Sequence, residues 1–194
     1  MNLHIFGGHL KDKKGFTFIE LIVVISILAI LSAVALPRYL SLKQDANTAI
    51  VENISASFRY VVDNVRVNAI LQGLDTQRDV AVSVEGVPIN TYFGVPQEIW
   101  DERLGELFVA GITHVGNGYR DFGSSGVLSY KCTDPLCVID QTPGSWISND
   151  ISGWGMFLFP ESYTLTDKCY AYYAFEVVGS EVVSLETQSV VTGC

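Results

Sequence analysis

A single carboxylate inside an apolar run is the residue of this sequence with the most distinctive chemistry. Glu20 lies about one turn into residues 16–36, of which 17 of 21 are apolar and none is basic. An isolated carboxylate in hydrocarbon costs at least about 2.5–3.5 kcal/mol, so Glu20 should have a partner. An α-amino group at the same depth would serve, and it exists only if the chain is cut between Gly15 and Phe16. The alternative is that Glu20 lies at the interface and reaches water.

Four cysteines form the second reactive set, and four allow three disulfide pairings. If the part of the chain after the apolar run faces an oxidising space, disulfides are favoured. We then expect Cys132–Cys137 and Cys169–Cys194. A zinc site is the alternative, but the spacing lacks the tight Cys-x-x-Cys pairs that such sites use.

The sequence offers little for catalysis. Only three histidines occur, and we expect His114 to be an ordinary surface loop residue. No phosphate-binding loop, dinucleotide fingerprint or serine-hydrolase elbow is present. Carboxylate and amide oxygens could contribute ligands to Ca²⁺, but the indication is weak because their spacing is not that of an EF-hand. They belong to Asp134, Asp140, Asn149 and Asp150. The sequence therefore predicts no enzyme, no cofactor and no metal.

The apolar run itself predicts a membrane-spanning helix. As a helix, residues 16–36 would be about 32 Å long, close to the hydrocarbon thickness of a bilayer. Three lysines precede it against one aspartate, which predicts a cytoplasmic N-terminus; they are Lys11, Lys13 and Lys14. A cleaved secretory signal is the alternative, since residues 33–35 offer a small-x-small site. The run is longer than usual for such a signal and contains an acid.

Helical periodicity continues beyond Pro37, where we expect a bend. An apolar residue recurs every three or four positions, which predicts one helix over residues 16–71. Its C-terminal half should pack on the protein's own head. The predicted stripe comprises Tyr39, Leu42, Ala46, Ile50, Ile54, Phe58, Val61, Val65 and Ala69.

After Gly73 the pattern changes to short β-like runs separated by turn residues. We expect a hairpin at 80–87, a strand at 154–159 and a final hairpin at 169–191 whose two-residue turn would place Cys169 opposite Val190. Residues 97–126 read as loop. On the final hairpin, one aromatic face should be core; the other is core by default, with a subunit or glycan contact as the alternative. Those faces carry Tyr170 and Tyr172, and Tyr173 and Phe175.

Residues 14–21, Lys-Gly-Phe-Thr-Phe-Ile-Glu-Leu, followed by an apolar helix and Pro37, resemble the signature of type IV prepilins. The sequence departs from that signature only at Phe18, where leucine is usual. Residues 35–46 and the ending Thr192-Gly193-Cys194 are similar to mannose-sensitive haemagglutinin (MSHA) type pilins. The signature covers about 25 residues and is shared with some secretion pseudopilins.

The resemblance implies an α+β pilin fold, in which a long N-terminal helix packs on an antiparallel β-sheet head. It implies a leader at 1–15, a transmembrane and filament-core helix at 16–36, an amphipathic continuation at 37–73 and an extracytoplasmic head at 74–194 with a C-terminal disulfide loop. A prepilin peptidase would cleave after Gly15, and the new N-terminus at Phe16 would be methylated. Glu20 would pair with the Phe16 amine of a neighbouring subunit.

The function implied is an adhesive surface filament. The precursor would cross the inner membrane once, and its partners would be itself, other pilins, the pilus assembly platform and a surface or glycan ligand. A pseudopilin of type II secretion, or a minor pilin that primes a filament, is the alternative. Charge excludes one partner class: residues 74–194 carry five basic and 16 acidic side chains. Such a surface repels phosphate backbones, so nucleic acid is not expected.

Overall fold

A computed structural model describes residues 15–108 and 111–194, which fall into two compact units that divide after Leu42. The predicted leader includes Lys11, Lys13 and Lys14, which lie outside the described residues. Helix α1, Phe18–Gln72, is one 55-residue α-helix with Pro37 inside it. It is the one helix of the described residues that is long and apolar enough to cross a membrane, and none of its most apolar window is buried.

Within the second unit, α1 buries one face. The buried side chains are Val51, Ile54, Ser55, Phe58, Val61, Val62, Val65 and Ala69. The predicted stripe is correct from Ile54 onward, but Ala46 and Ile50 are exposed and Val51 is fully buried instead. Consecutive residues of a helix point about 100° apart. The buried face therefore follows the sheets that cover it rather than the apolar pattern alone.

A three-stranded antiparallel sheet follows α1, with strands β1 (Arg78–Val84), β2 (Val87–Tyr92) and β3 (Val95–Pro96) in sequence order. Val84 pairs with Val87, which confirms the predicted hairpin. Its two turn residues, Glu85 and Gly86, both have positive φ, 52° and 86°. Tight hairpin turns of this kind match the right-handed twist of the strands.

A second sheet has five strands in the order β4 (Thr113–Asn117), β5 (Leu136–Pro143), β6 (Trp154–Pro160), β7 (Tyr170–Val178) and β8 (Glu181–Val190). Strand β6 confirms the strand predicted at 154–159. The sheet was expected to be antiparallel, but it is mixed, because β4 pairs with β5 in parallel. The connection contains a π-helical turn at Gly118–Phe122 and helix α2 at Gly123–Ser129. Residues 97–126 are thus more regular than the predicted loop.

The final hairpin has the predicted strands and turn but a shifted register. Val178 pairs with Glu181 as expected, whereas Val190 lies opposite Tyr170 rather than Cys169. The shift occurs between Glu176 and Val177, where Val183 is the extra residue on β8. A β-bulge moves every later pair by one position. The predicted opposition of Cys169 and Val190 was therefore wrong by one residue.

Both faces of β7 are buried, so the head has two cores. Tyr173 and Phe175 pack in the core that includes α1. Tyr170 and Tyr172 pack in a second core with Phe157 and Phe159. Core packing of both aromatic faces, the default expectation, is confirmed.

The cysteines pair as Cys132–Cys137 and Cys169–Cys194. The first pair joins residues five positions apart beside β5, and the second spans 25 positions and ties residue 194 to the start of β7. Both bonds agree with the pairing that was favoured from the sequence.

Candidate assembly site and the polar cluster of the head

The start of α1 is built by a reciprocal set of hydrogen bonds between Thr17 and Glu20. The Glu20 carboxylate oxygen Oε2 accepts from the Thr17 backbone N–H at 2.7 Å and from its hydroxyl at 2.8 Å. The Glu20 N–H donates to Thr17 Oγ1 at 3.2 Å. This is the capping box that starts many helices, since the first backbone N–H groups of a helix lack intrahelical acceptors.

The capping box changes the argument about Glu20. In the single chain its carboxylate already has two donors, so the residue is not left wholly without partners as the sequence argument assumed. Both donors are neutral, however, and no lysine, arginine or histidine of the described residues forms an ion pair with this carboxylate. Pairing of Glu20 with an amine of another chain stays a prediction.

The described residues next to the predicted cleavage point are exposed to solvent. The Phe16 side chain is 90% exposed. No described atom lies within 4 Å of the position that a Cβ on Gly15 would take. Packing among the described residues thus imposes no requirement for glycine at position 15, and we attribute such a requirement to an enzyme that reads this residue.

A second polar site lies in the head, around His114 on β4. Its Nδ1 atom lies 2.8 Å from Asp101 Oδ2, and its Nε2 atom lies 3.2 Å from Asp140 Oδ1. The latter two atoms are within ion-pair distance but do not meet the geometry of a hydrogen bond. Asp140 also accepts from the Trp100 N–H through Oδ2 at 2.8 Å. The cluster connects the segment after β3 to β4 and β5.

The expectation that His114 is an ordinary surface loop residue was wrong. It lies on a strand and its side chain is only 19% exposed. Its position follows from the pairing of β4 with β5, which places His114 opposite Val138, two residues before Asp140. A parallel pair between residues 20 or more apart is not visible in local sequence patterns.

The charges around the imidazole decide its protonation. The Asp140 carboxylate raises the pKa of His114 above its usual value, burial opposes this, and Asp101 adds to the increase. A group with a raised native pKa stabilises the fold fully below its unfolded pKa, about 6.5 for histidine. That contribution is lost as the pH rises through the native pKa.

We therefore predict that a His114→Gln variant loses stability chiefly at low pH. The free energy of unfolding in urea should differ most from that of the wild type near about pH 6, and the difference should shrink toward about pH 9. The check is a set of urea titrations of the full chain across this range. A difference that stays constant with pH would assign His114 a packing role instead.

The oxygens considered for Ca²⁺ are not brought together as a ligand set. Asp140 is engaged by His114 and Trp100. Asp150 lies in a turn, where its Oδ2 is 3.3 Å from Ser148 Oγ. Within residues 15–108 and 111–194 there is no group of three or more His, Cys, Asp or Glu side chains that could hold a metal ion.

Comparison with known families gives one match, at the N-terminus. The family described as "Prokaryotic N-terminal methylation motif" matches residues 10–36. The match includes the glycine, the phenylalanine and the carboxylate described above, together with the apolar part of α1.

Curated relatives extend the likeness beyond this motif. The chain is 32% identical to the type IV wide pilus major component PilA4 of Thermus thermophilus, over 44% of the chain and 66% of that protein. It is 41% identical to the narrow pilus major component PilA5 of the same organism, over 38% of the chain and 61% of that protein. A fimbrial protein of Pseudomonas aeruginosa is 28% identical over 72% of the chain and 94% of its own length. The matches to the two Thermus proteins thus span less than two thirds of their length. No solved structure matches the chain.

Proposed function

Taking as premise that the chain is a type IV pilin, by its methylation motif, α+β architecture and relatives, we propose that it is the precursor of a filament subunit. The precursor is cut after Gly15, and the mature chain assembles into a surface filament used for attachment. Its role is structural and it is not an enzyme.

The observation that carries this proposal is the exposure of the first half of α1. Its large apolar side chains are exposed to solvent in the single chain; Ile19, for example, is 73% exposed and Leu36 is 60% exposed. Burying apolar surface is favourable by roughly 25 cal/mol per Å². A segment with this much exposed apolar surface requires lipid or other apolar helices around it. A membrane supplies the first environment and a bundle of identical helices supplies the second.

In this proposal the membrane holds the precursor in a single pass, with Lys11, Lys13 and Lys14 on the cytoplasmic side. Cleavage by a prepilin peptidase frees the Phe16 amine, which is then methylated. The assembly platform moves the subunit from the inner membrane into the filament. There Glu20 of one subunit pairs with the Phe16 amine of the next, and the apolar helices form the core.

Attachment is proposed for the head. Its surface is acidic, with 16 acidic against five basic side chains in residues 74–194, so we propose a surface or glycan ligand rather than nucleic acid. The likeness to MSHA-type pilins and the division at residues 15, 36 and 73 belong to the same proposal.

Mass analysis of sheared surface filaments tests the processing step. We expect a chain that begins at Phe16, carries one added methyl group and contains two disulfides. A Gly15→Val variant should accumulate uncut, since a Cβ at residue 15 meets no atom of the rest of the described chain that would disturb the fold instead. A Ser124→Val variant serves as the comparison, because Ser124 is an exposed small residue of α2 in the head, away from the predicted cleavage point.

Two results would contradict the proposal. Filaments whose subunit begins at Met1 would show that assembly does not require cleavage after Gly15. Loss of secreted enzymes on deletion of this chain, with surface filaments unchanged, would assign it to a secretion pseudopilus.

A further inference from the structure

The head contains a cavity that the filament proposal does not use. It has a volume of about 470 Å³ and lies between the two sheets, with lining residues from β1, β2, β4, β5, β6 and β7. Cavities of about 300–1,000 Å³ are the size that holds small molecules. All of its lining residues belong to the second unit of the chain.

Three β-bulges surround this cavity. In β1 the extra residue is Asp79, in β4 it is Val115, and in β5 the pair Asp140 and Gln141 lies opposite Met156 alone. Asp79 and Gln141 have positive φ, 54° and 44°, which is costly for residues other than glycine. Bulges re-aim side chains and are frequent beside functional sites. Arg78, Asn117 and Gln141, which lie in or within two residues of these bulges, line the cavity.

Exposed aromatic rings form a second wall. Tyr119 and Trp154 line the cavity and are 59% and 39% exposed. Their ring centroids lie 5.2 Å apart in an edge-on arrangement, and Tyr119 stacks on Trp146 at 5.6 Å. The rings therefore support one another while leaving aromatic surface open. An aromatic face carries partial negative charge and attracts the weakly positive C–H groups of a ligand.

The charged groups favour a neutral ligand. Each of the two cavity arginines is already paired with the next residue, Arg78 with Asp79 at 3.5 Å and Arg120 with Asp121 at 2.8 Å. Each carboxylate offsets the charge of its arginine, which weakens the attraction of the cavity for an anion. The positive charges of Arg78 and Arg120 also disfavour binding of a cationic ligand.

The carboxyl group of Glu98 has an oxygen atom that is available for a hydrogen bond to a ligand. Its Oε2 atom is buried and has no hydrogen-bond partner among the described residues. Burial raises the pKa of its carboxyl group, although its own backbone N–H opposes this. The terminal torsion of a glutamate is broad, so a small rotation presents the carboxyl group to the cavity. Donors and acceptors then stand side by side with aromatic rings, which suits hydroxyl groups that both donate and accept.

We propose that this cavity binds a single neutral pyranose ring of a carbohydrate, with its C–H face on Trp154 and Tyr119 and its hydroxyl groups on Gln141, Asn117 and Glu98. The proposal deepens the attachment role and rests on the proposed function for its biological use. Binding itself is a property of the head and does not require a filament.

The test uses the unassembled full chain, purified in a detergent without sugar headgroups. The probes are the methyl pyranosides of glucose, galactose, mannose and N-acetylglucosamine, observed by saturation-transfer NMR at millimolar concentration. We expect transfer to ring C–H protons of at least one probe. Trp154→Ala should weaken that binding by about tenfold or more. Tyr60→Ala, which removes a 67% exposed ring on α1 outside the cavity, should not change it.

Glu98→Gln distinguishes a sugar from a cation. The amide removes the charge that a cation such as choline needs, so it abolishes binding of a cation, whereas a pyranoside loses only its charge-assisted hydrogen bonds to this residue and should still bind, more weakly than to the wild type. Glu161→Gln is the exposed control. The proposal is overturned if no pyranoside shows transfer to a folded, disulfide-bonded chain, if transfer survives Trp154→Ala unchanged, or if choline binds instead and is lost in Glu98→Gln. Because these readouts need no filament, a failure of assembly leaves them interpretable.

Discussion

Glu20→Ala should reduce filament yield by at least about tenfold while the precursor is still made and inserted. Removing one member of a buried ion pair costs about 3–5 kcal/mol, and about 1.4 kcal/mol already changes an association constant tenfold. The variant would leave the Phe16 amine of a neighbouring subunit without a counter-charge among apolar helices. The measurement is the amount of sheared filament per cell, compared with the amount of membrane-bound subunit.

The capping box makes a second variant necessary. Glu20 also starts α1 by accepting from the Thr17 N–H and hydroxyl, and loss of such a cap costs about 1 kcal/mol. Glu20→Gln keeps an acceptor for Thr17 but removes the charge. If the ion pair matters, Gln should fail nearly as Ala does. Glu52→Ala, an exposed glutamate on the same helix, should assemble normally. Normal yield from Glu20→Gln would leave helix capping as the only role of this residue.

Features that depend on local patterns could be predicted from the sequence. The helix predicted at 16–71 is observed at Phe18–Gln72, because no glycine interrupts the run and the apolar period is helical. The turn at Glu85 and Gly86 was predictable since its strands are adjacent in sequence. The motif around Glu20 was recognisable for a similar reason, as its residues lie within one helical turn.

Features that depend on distant pairing could not be predicted. The parallel pairing of β4 with β5 joins segments about 20 residues apart and has no local signature. The His114 cluster was missed with it, since Asp101 and Asp140 approach the imidazole only in the folded head. The bulge at Val183 shifted the final hairpin by one residue. The cavity depends on three such bulges, so no sequence pattern marked it.

The contact between α1 and the five-stranded sheet depends on few large side chains. Phe58 is 1% exposed and lies against Phe108, with ring centroids 5.0 Å apart, and against Tyr173 at 6.1 Å. Tyr173 is fully buried, and its hydroxyl donates to the Pro96 carbonyl at 2.6 Å. Phe58 thus contacts the five-stranded sheet through Tyr173 of β7, and Tyr173 in turn bonds to Pro96 of β3 in the three-stranded sheet.

Phe58→Ala should therefore lower the free energy of unfolding by about 3–5 kcal/mol, the cost of removing a buried phenylalanine and leaving a cavity. The check is urea unfolding of the full chain in detergent, monitored by tryptophan fluorescence. Tyr60→Ala, two residues along the helix and 67% exposed, should change stability by less than about 0.5 kcal/mol. Equal effects of the two variants would mean that α1 does not pack on the sheets through Phe58. A large effect of Phe58→Ala alone would place the stability of the head at this contact.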